Sequence, residues 1–416
     1  MQADLWLGLD LGTTGARAVL IDAQGEIVAG AKSAMSEHGP DPRDPRNWLA
    51  ASTAAVRGAL SGIEPGRVRA LSVDGTSGTV LAVDPQGRPL GDALMYNDVA
   101  APAGVMAIAE SAPDVSAAHG ATSGLAKAMQ LRALKPTRVL HQADWIASRF
   151  SGRYVTDANN ALKTGYDPIA GRWPEWMGEL GFNLGLLPEV LAPGQIAGQV
   201  TREAAETFGL AAGTRVVAGT TDGCASFLAT GACEPGDAVT ALGTTLTLKL
   251  LCERPIFSPA YGIYSHKLLG MWLAGGASNT GGGALLAHFS PQEIETLTPL
   301  LDPDNPTGLD YYPLTRPGER FPIADPDFPP RLTPRPDDRA KFLQGLFEGV
   351  AAVEAQGYAR LAELGAPRLR SMRSVGGGAK NAAWTRIRAR VLGAPMLAPL
   401  SDEAAYGAAL LARAGT

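Results

Sequence analysis

The sequence predicts an α/β protein built from two domains, and three observations support this. Strand-like apolar runs alternate with stretches of helical apolar spacing along the chain. The length of 416 residues exceeds what a single hydrophobic core usually holds. The second half also repeats the first in outline, because each half contains a strand–turn–strand unit whose turn reads Gly-Thr-Thr. We expect the first domain to span residues 1–213 and the second to span residues 214–416.

The first half predicts an antiparallel meander followed by alternating helices and strands. Three apolar runs separated by short glycine-containing turns indicate the meander. Helical spacing follows a proline-rich break, and another proline stands where a second helix is expected to begin. The predicted elements are strands at 5–10, 17–22 and 26–31, a helix at 47–60, strands at 68–73 and 80–83, and a helix at 136–150.

The second half is expected to open with a fresh apolar strand after a small, flexible segment that ends at residue 213. The segment 302–336 is rich in proline and aspartate, which predicts a surface excursion. The other predicted elements are strands from 215, at 238–242 and at 246–251, a helix at 338–364, a strand at 369–375 and two closing helices.

The composition argues against several classes of protein. The net charge of −5 provides no basic excess for nucleic acid. No apolar segment reaches the about 18 residues that a membrane-spanning helix needs, and the N-terminus lacks the basic region of a signal peptide. The three cysteines match no metal-site spacing and are interpreted as reduced core thiols, and the five histidines as structural. We expect a cytoplasmic protein with no nucleic-acid or membrane partner.

The turn within residues 8–17 is the most informative local feature. A strand ends in Asp10, and glycines in the tight turn that follows let backbone N–H groups converge on an anion. Thr13 and Thr14 add hydroxyl donors, and Asp10 can hold a hydrated cation. The pattern suits the phosphate tail of a magnesium nucleotide, although an ordinary hairpin uses the same residue types. A second Gly-Thr-Thr turn, at 243–245, favours a paired phosphate grip.

Five motifs in fixed order resemble those of the FGGY family of carbohydrate kinases over nearly the whole chain. They lie at residues 10–17, 219–224, 241–245, 376–384 and 403–412. The resemblance implies two actin-like (ribonuclease H-like) domains around a cleft for ATP and sugar. It implies an N-terminal domain, 1–213, with the sugar side and the first phosphate loop. It also implies a C-terminal domain, 214–416, with the second phosphate loop and the adenosine site.

Within the family, the sugar-side loops look most like those of pentulose kinases of the D-ribulokinase-like group. The loops are Val-Asp-Gly-Thr-Ser-Gly-Thr at 73–79 and Met-Tyr-Asn-Asp at 95–98. Typical xylulokinases are similar to Ser-Gly-Gln-Met-His-Gly at the first position and Trp-x-Asp-x-Arg at the second. This chain lacks that histidine, and Val99 and Ala100 follow Asp98 where the arginine is expected. The departure argues against xylulose and glycerol as substrates.

The resemblance also implies roles for individual residues. Asp222 is expected to be the base that accepts the proton of the attacking sugar hydroxyl, and a helix N-cap is its alternative or additional role. Asp10 is expected to orient Mg²⁺ through water, with capping of its own turn as the alternative. The expected ATP contacts are Gly12, Thr13, Thr14, Arg17, Gly243, Thr244, Thr245, Gly376, Gly377, Gly378, Asn381 and Trp384. The expected substrate contacts are Asp10, Thr76, Ser77, Tyr96, Asp98 and Asp222.

Two of these assignments compete with simpler interpretations. Arg17 is expected to neutralise the γ-phosphate, but a solvated strand residue fits the sequence equally well. Trp384 is expected to form a wall for adenine, and an ordinary core tryptophan behind a glycine turn is the alternative.

The implied function is ATP-dependent phosphorylation of a pentulose, D-ribulose to D-ribulose 5-phosphate, with Mg²⁺ as cofactor. Xylulose, L-ribulose or a related polyol remain alternative substrates. A non-catalytic sugar- or nucleotide-binding regulator on the same fold is the alternative of a different class. The expected partners are a small sugar and ATP, and the expected state is a monomer or homodimer.

Overall fold

The computed structural model describes residues 3–416, which form a mixed α/β structure. Its strands are β1 (Leu5–Leu11), β2 (Gly15–Ile21), β3 (Ile27–Ala34), β4 (Val68–Gly75), β5 (Val80–Val83), β6 (Arg138–His141), β7 (Val155–Asp157), β8 (Glu189–Leu191), β9 (Ile196–Gln199), β10 (Arg215–Thr221), β11 (Asp237–Leu242), β12 (Leu246–Cys252), β13 (His266–Leu268), β14 (Met271–Ser278), β15 (Ser371–Val375) and β16 (Met396–Leu397). Its α-helices are α1 (Pro45–Ala59), α2 (Pro102–Ser111), α3 (Gly124–Leu131), α4 (Gln142–Ser151), α5 (Ala158–Leu162), α6 (Trp176–Glu179), α7 (Arg202–Phe208), α8 (Asp222–Ala229), α9 (Gly282–Leu286), α10 (Pro291–Leu297), α11 (Arg339–Glu363), α12 (Ala382–Leu392) and α13 (Ala404–Ala414). Between residues 3 and 416, none of these helices combines the length and apolar character that crossing a bilayer requires.

The chain divides into two compact units. The first contains the described residues up to 229 together with 266–270 and 403–416, and the second contains 230–265 and 271–402. This division differs from a boundary at residue 213, because β10 pairs with β4 and β9 in the sheet of the first unit. The last helix, α13, also returns to the first unit.

The sheet of the first unit has the strand order β3-β2-β1-β4-β10-β9. The predicted meander is confirmed, since β1, β2 and β3 pair antiparallel. The strands β1, β4 and β10 run parallel to one another. The carboxyl ends of these three strands therefore meet at one edge of the sheet, and this edge carries the candidate catalytic residues.

Close backbone approaches explain why α13 belongs to the first unit. A Cβ atom built on Gly8 of β1 lies 1.9 Å from the carbonyl oxygen of Ala405, so only glycine lets the helix cross the strand there. A Cβ atom on Gly407 likewise lies 1.9 Å from the carbonyl oxygen of Ala225 in α8. The glycines thus allow α8 and α13 to pack directly against each other and against β1.

The second unit contains the sheet β14-β12-β11-β15-β16, and α11 packs against it. A fully buried ion pair between Arg388 of α12 and Glu354 of α11, at 2.6 Å, lies beneath this sheet. Glu354 accepts a hydrogen bond from Thr240 of β11, and Arg388 donates one to Ser374 of β15. The two strands that lead into the Gly243 turn and the Gly376 turn are thereby joined to the same buried pair.

Two predictions of local structure need correction. The helix expected over 136–150 begins only at Gln142, because Arg138–His141 forms strand β6, which pairs antiparallel with β5. The segment 302–336 is irregular but is not all surface, since Tyr311 and Phe321 are buried. Glu319 in this segment is also buried and accepts hydrogen bonds from Ser278 and Asn279, which fixes the end of β14.

Candidate active site

The candidate catalytic edge of the first unit carries three carboxylates at the ends of adjacent parallel strands. Asp10 lies near the end of β1, and Asp74 is its direct neighbour in the β1–β4 register. Asp222 is the first residue of α8 and follows β10 immediately. Its Oδ1 atom accepts a hydrogen bond from the amide of the next residue, Gly223, at 2.6 Å, whereas a capping side chain accepts from the second or third helical residue. Asp222 is therefore the first residue of the helix itself, and its predicted roles as N-cap and as base stay predictions.

Burial governs the electrostatics of this edge. It raises the pKa of Asp10, while Asp74 and the charge of Arg17 pull that pKa down. The pKa of Asp74 lies well above its usual range, first because the residue is buried and then because Asp10 and Asp222 add negative charge. Arg17 is the register neighbour of Asp10 on β2, and its guanidinium is paired with Glu403 at 2.8 Å. Arg17 thus lies beside the site but is engaged in an exposed ion pair.

The first Gly-Thr-Thr turn is a hairpin that presents its hydroxyls outward. Thr13 and Thr14 are both exposed, and the Gly12 amide donates to the Gly15 carbonyl at 3.0 Å. A Cβ atom on Gly15 falls 2.7 Å from the carbonyl oxygen of Ser33, so glycine is required where β2 meets β3. The hairpin and phosphate interpretations are therefore compatible, because the turn is ordered by its neighbours while its hydroxyls stay available to a ligand.

The second Gly-Thr-Thr turn, in the second unit, is also exposed, and it accepts hydrogen bonds from a neighbouring glycine segment. Gly243, Thr244 and Thr245 are all exposed. The amides of Gly282 and Gly283 donate to the carbonyls of Gly243 and Thr244 at 2.8 and 2.9 Å. The sequence analysis missed this support, although three consecutive glycines at 281–283 were a visible signal of a close backbone approach.

A cavity of about 750 Å³ lies beside this turn, within the second unit, and its volume suits a nucleoside. It brings together six of the predicted nucleotide residues, namely Gly243, Thr244, Gly377, Gly378, Asn381 and Trp384. Gly376 has a φ of +85° directly before the cavity loop, a conformation that favours glycine. A Cβ atom on Gly378 lies 2.6 Å from the Trp384 ring, so the loop can run over the indole only as glycine.

Trp384 and Asn381 have structural contacts in addition to lining the cavity. Trp384 is buried and stacks on Phe347 with a centroid separation of 4.8 Å and an interplanar angle of 7°. The ring is thus part of the core and also borders the cavity, and its role as a wall for adenine stays a prediction. The side-chain oxygen of Asn381 accepts a hydrogen bond from the backbone amide of Trp384 at 2.9 Å, and its side-chain nitrogen donates to the Thr298 hydroxyl at 2.9 Å. Asn381 therefore caps α12.

The predicted sugar loops differ in how far their side chains are engaged. Thr76 is buried, and its hydroxyl lies 2.7 Å from that of Thr79 and donates to Gln142 at 2.8 Å. The Ser77 hydroxyl, by contrast, is buried without a hydrogen-bond partner among residues 3–416. Tyr96 is exposed, and its amide donates to Thr79 at 2.9 Å. Thr76 and Thr79 thus order both loops, whereas Ser77 and Tyr96 are the members available to a ligand.

Asp98 is held by an arginine from another part of the chain. Both its carboxylate oxygens accept hydrogen bonds from the guanidinium of Arg43, and Oδ2 also accepts from the Met95 amide at 2.8 Å. Burial opposes ionisation of Asp98, but these hydrogen bonds outweigh it and lower the pKa of the carboxyl. Asp98 is thus paired with an arginine, Arg43, that is distant in sequence.

Lys127 of α3 is a second residue that the sequence analysis missed. Its side chain is fully buried, and Nζ donates to the carbonyls of Gly78, Met95 and Tyr96 at 3.2, 2.6 and 3.1 Å. One ammonium group thus joins the two sugar loops. Burial lowers the pKa of Lys127 to about 8, against the attraction of Asp98. The only sequence signal was a lysine on the apolar face of a short helix.

The carboxylates of the first unit fit a magnesium ion in residue type and in number. Across residues 3–416, no group of three or more histidine, cysteine, aspartate or glutamate side chains is arranged to hold a metal. Magnesium, however, is usually held by one or two carboxylates, with water and substrate phosphates completing its shell. The buried oxygens of Asp74, which have no hydrogen-bond partner among the described residues, lie next to Asp10 and supply that donor type.

Comparison with known proteins yields matches over nearly the whole chain. The sequence profile of the FGGY family of carbohydrate kinases matches residues 5–229 with its N-terminal domain and residues 238–415 with its C-terminal domain. The autoinducer-2 kinase of Yersinia enterocolitica is 29% identical over 461 aligned positions, which cover 100% of this chain and 87% of that protein. The xylulose kinase of Streptomyces rubiginosus is 30% identical over 273 positions, which cover 61% of this chain and 55% of that protein.

A solved structure agrees with these matches. The "xyloylose kinase" of Brucella ovis superposes with a TM-score of 0.84 at 25% identity, covering 98% of this chain and 90% of its own. The likeness confirms the predicted α/β architecture of actin-like domains.

Proposed function

The chain belongs to the FGGY family of carbohydrate kinases, and on that premise we propose that it phosphorylates a ketopentose with ATP. The proposed acceptor is D-ribulose and the proposed product is D-ribulose 5-phosphate. The observation that carries the proposal is the edge of the first sheet, where Asp10 and Asp222 end two parallel strands and an exposed Gly-Thr-Thr turn follows β1.

Asp222 is the proposed general base. Phosphoryl transfer needs little covalent chemistry from the protein. The attacking hydroxyl must lose its proton as its bond to the γ-phosphorus forms and the bond from that phosphorus to ADP breaks. A carboxylate at the start of a helix is suited to this, because the hydrogen bond from Gly223 fixes its orientation without neutralising it. The proton passes from the terminal hydroxyl of the sugar to the Asp222 carboxylate.

Each Gly-Thr-Thr turn is proposed to bind phosphate oxygens of ATP. Their four exposed hydroxyls, on Thr13, Thr14, Thr244 and Thr245, provide donors to phosphate oxygens. Asp10 is the proposed carboxylate that orients Mg²⁺ through water. When bound, Mg²⁺ neutralises charge on the phosphoryl oxygens during transfer. Arg17, paired with Glu403, is proposed to contribute a positive charge beside Asp10.

The nucleoside of ATP is the proposed occupant of the cavity in the second unit. Its glycine loop, 376–378, allows close approach to the ribose and base, and Trp384 and Leu286 provide apolar surface. Asn381 is proposed to contribute through its position at the loop, since its Oδ1 atom caps α12 and its Nδ2 atom donates to Thr298.

The loops 76–79 and 95–98 support a pentulose with a recognition pattern unlike that of typical xylulokinases. Ser77, Tyr96 and the Arg43–Asp98 pair are the proposed sugar-side groups, and Thr76 orders the loop that carries Ser77. Xylulose is the second candidate, because a xylulose kinase is among the relatives. Autoinducer-2 is the third, because an autoinducer-2 kinase is among the relatives that align with the whole chain.

A panel of acceptors in an ADP-release assay tests the proposal. The panel contains D-ribulose, D-xylulose, L-ribulose, glycerol and autoinducer-2, each with ATP and Mg²⁺. D-ribulose should give the highest kcat/KM, and the phosphorylated carbon is read by ³¹P NMR. A higher kcat/KM for xylulose or autoinducer-2 would replace D-ribulose as acceptor. No sugar-dependent ADP release with any acceptor would favour the non-catalytic regulator.

Two further properties follow from the proposed reaction. Because the enzyme consumes ATP and a phosphorylatable sugar, we propose that it works in the cytoplasm. We also propose that it acts as a monomer or homodimer, which sedimentation at several protein concentrations would decide.

A further inference from the structure

Asp74 combines complete burial with the lack of a hydrogen-bond donor. Its side chain is fully buried, and neither carboxylate oxygen has a hydrogen-bond partner among residues 3–416. A buried carboxylate without a donor is costly, and native proteins almost always satisfy such a group. Ser72, two residues earlier and on the same face of β4, has a buried hydroxyl that is also unsatisfied within the described chain.

The side chain beside Asp74 on the next strand is another carboxylate, that of Asp10. Asp10 is its register neighbour on β1, so the two side chains lie side by side on one face of the sheet. Asp222 adds a third negative charge to the same edge. Two ionised carboxylates cannot donate to each other, so this contact is stable only if a proton or a cation lies between them.

We propose that Asp74 is a second carboxylate ligand of the divalent cation, and that it shares the ion with Asp10. The inference rests on the proposed kinase function and extends it to a residue that the motifs did not assign. Magnesium takes hard oxygen ligands and is commonly bound by one or two carboxylates, so two adjacent aspartates match its preference. Asp10, on β1, contacts the water shell of the ion, and Asp74, on β4, binds the ion itself.

Manganese binding provides a test that needs no catalysis. Mn²⁺ replaces Mg²⁺ at oxygen sites, and the fraction bound is read from the loss of its free EPR signal, with and without ADP. The variants are Asp74→Asn, Asp10→Asn and a control, Asp237→Asn, which changes a buried aspartate at the start of β11 in the second unit. Loss of a ligand should weaken Mn²⁺ binding at least about tenfold in both site variants and leave the control unchanged.

Asp74→Asn distinguishes a cation bound between Asp10 and Asp74 from a proton shared by them. The asparagine amide mimics a protonated carboxyl, because it can donate a hydrogen bond to Asp10 in the same place. If a shared proton holds the pair, Asp74→Asn should bind Mn²⁺ as tightly as the wild type, and that result would overturn the proposal. No Mn²⁺ binding by the wild type, with or without ADP, would overturn it as well.

A second variant keeps the test possible if Asp74→Asn does not fold. Asp74→Ser removes the carboxylate and has a smaller side chain, so the Mn²⁺ titration is repeated on it if Asp74→Asn fails to give the wild-type circular dichroism spectrum. Weakened binding in a folded Asp74→Ser protein supports the proposal, and unchanged binding contradicts it. The acceptor panel is independent of this measurement, so failure of the sugar assignment is distinguishable from failure of the metal assignment.

Discussion

Arg43 donates hydrogen bonds to both oxygens of Asp98, joining two loops that are 55 residues apart in the sequence. The contact places a guanidinium beside the carboxylate although no arginine follows Asp98 in its own loop. The planar fork of arginine suits a carboxylate with two acceptors, so the pair also fixes the orientation of the 95–98 loop. Asp98 therefore presents to a ligand an ion pair rather than an unshared carboxylate.

Replacing Arg43 tests what this pair does. Arg43→Ala should raise the KM for the sugar by about fivefold, since a partly exposed ion pair contributes about 1 kcal/mol. The KM for ATP should not change. Both constants come from steady-state ADP release with the preferred acceptor. Arg46→Ala is the matched control, because Arg46 is a neighbouring arginine whose partner, Asp44, lies outside both sugar loops.

Asp98→Asn separates positioning from direct contact. If Asp98 acts only through Arg43, the two single variants and the double variant should raise the sugar KM equally, because the three changes remove the same interaction. If Asp98 also binds a sugar hydroxyl, Asp98→Asn should raise the sugar KM more than Arg43→Ala does. Wild-type KM values in both variants would contradict any role for the pair.

Lys127 should hold both sugar loops through one ammonium group. Lys127→Met keeps the volume of the stem but leaves the carbonyls of Gly78, Met95 and Tyr96 without this donor. Unsatisfied buried carbonyls cost about 1 to 3 kcal/mol each, so the sugar KM should rise by about tenfold or more. Thermal unfolding, followed by circular dichroism, shows whether loss of fold rather than loss of loop order accounts for the change.

The same lysine predicts a pH dependence of sugar binding. Burial lowers the pKa of Lys127 to about 8. Below that pH the ammonium group can donate three hydrogen bonds, and above it the neutral amine can donate only two. As the pH rises through 8, one of the three carbonyls loses its donor, and the sugar KM of the wild type should increase. The KM of Lys127→Met should stay flat over this interval. A flat wild-type profile between pH 7 and 9 would contradict the prediction.

Adjacent glycines in the cavity loop provide a matched pair of variants. A Cβ atom on Gly378 lies 2.6 Å from the Trp384 ring, whereas a Cβ atom on Gly377 meets nothing within 4 Å. Gly378→Ala should lower the free energy of unfolding by about 1 to 3 kcal/mol through overpacking and weaken ADP binding. Gly377→Ala should unfold with the free energy of the wild type, because the added methyl group meets no other protein atom. Calorimetry and denaturant unfolding measure the two effects, and equal behaviour of both variants would contradict this account of the loop.

Much of the fold follows from sequence patterns because the elements are regular and local. The meander of β1 to β3 and the long helix α11 were predictable from the spacing of apolar residues and from turn glycines. Residues 138–141 were not, because a four-residue apolar strand next to a helix has no period of its own, and only pairing with β5 decides its conformation. The return of α13 to the first unit depends on close contacts of Gly8 and Gly407 with residues distant in sequence.

In the candidate site, too, local patterns were predictable from the sequence and contacts between distant residues were not. The Gly-Thr-Thr turns and the glycine loop at 376–378 are local patterns, so the sequence indicated them directly. Arg43 and Lys127 act on loops that lie far from them in the chain, and neither residue has a motif around it. Asp74 was visible in the sequence, but its importance depends on its register with Asp10 across two parallel strands. Such pairings arise from tertiary structure, which a single sequence does not specify.

In the proposed ATP-dependent transfer, Asp222 takes the proton of the sugar hydroxyl. The most direct measurement is sugar-dependent ADP formation by Asp222→Asn, together with its ADP affinity by calorimetry. Loss of a general base should reduce kcat by about 10² to 10⁴ while ADP binding stays within about twofold of the wild type. Wild-type turnover by Asp222→Asn would contradict the account.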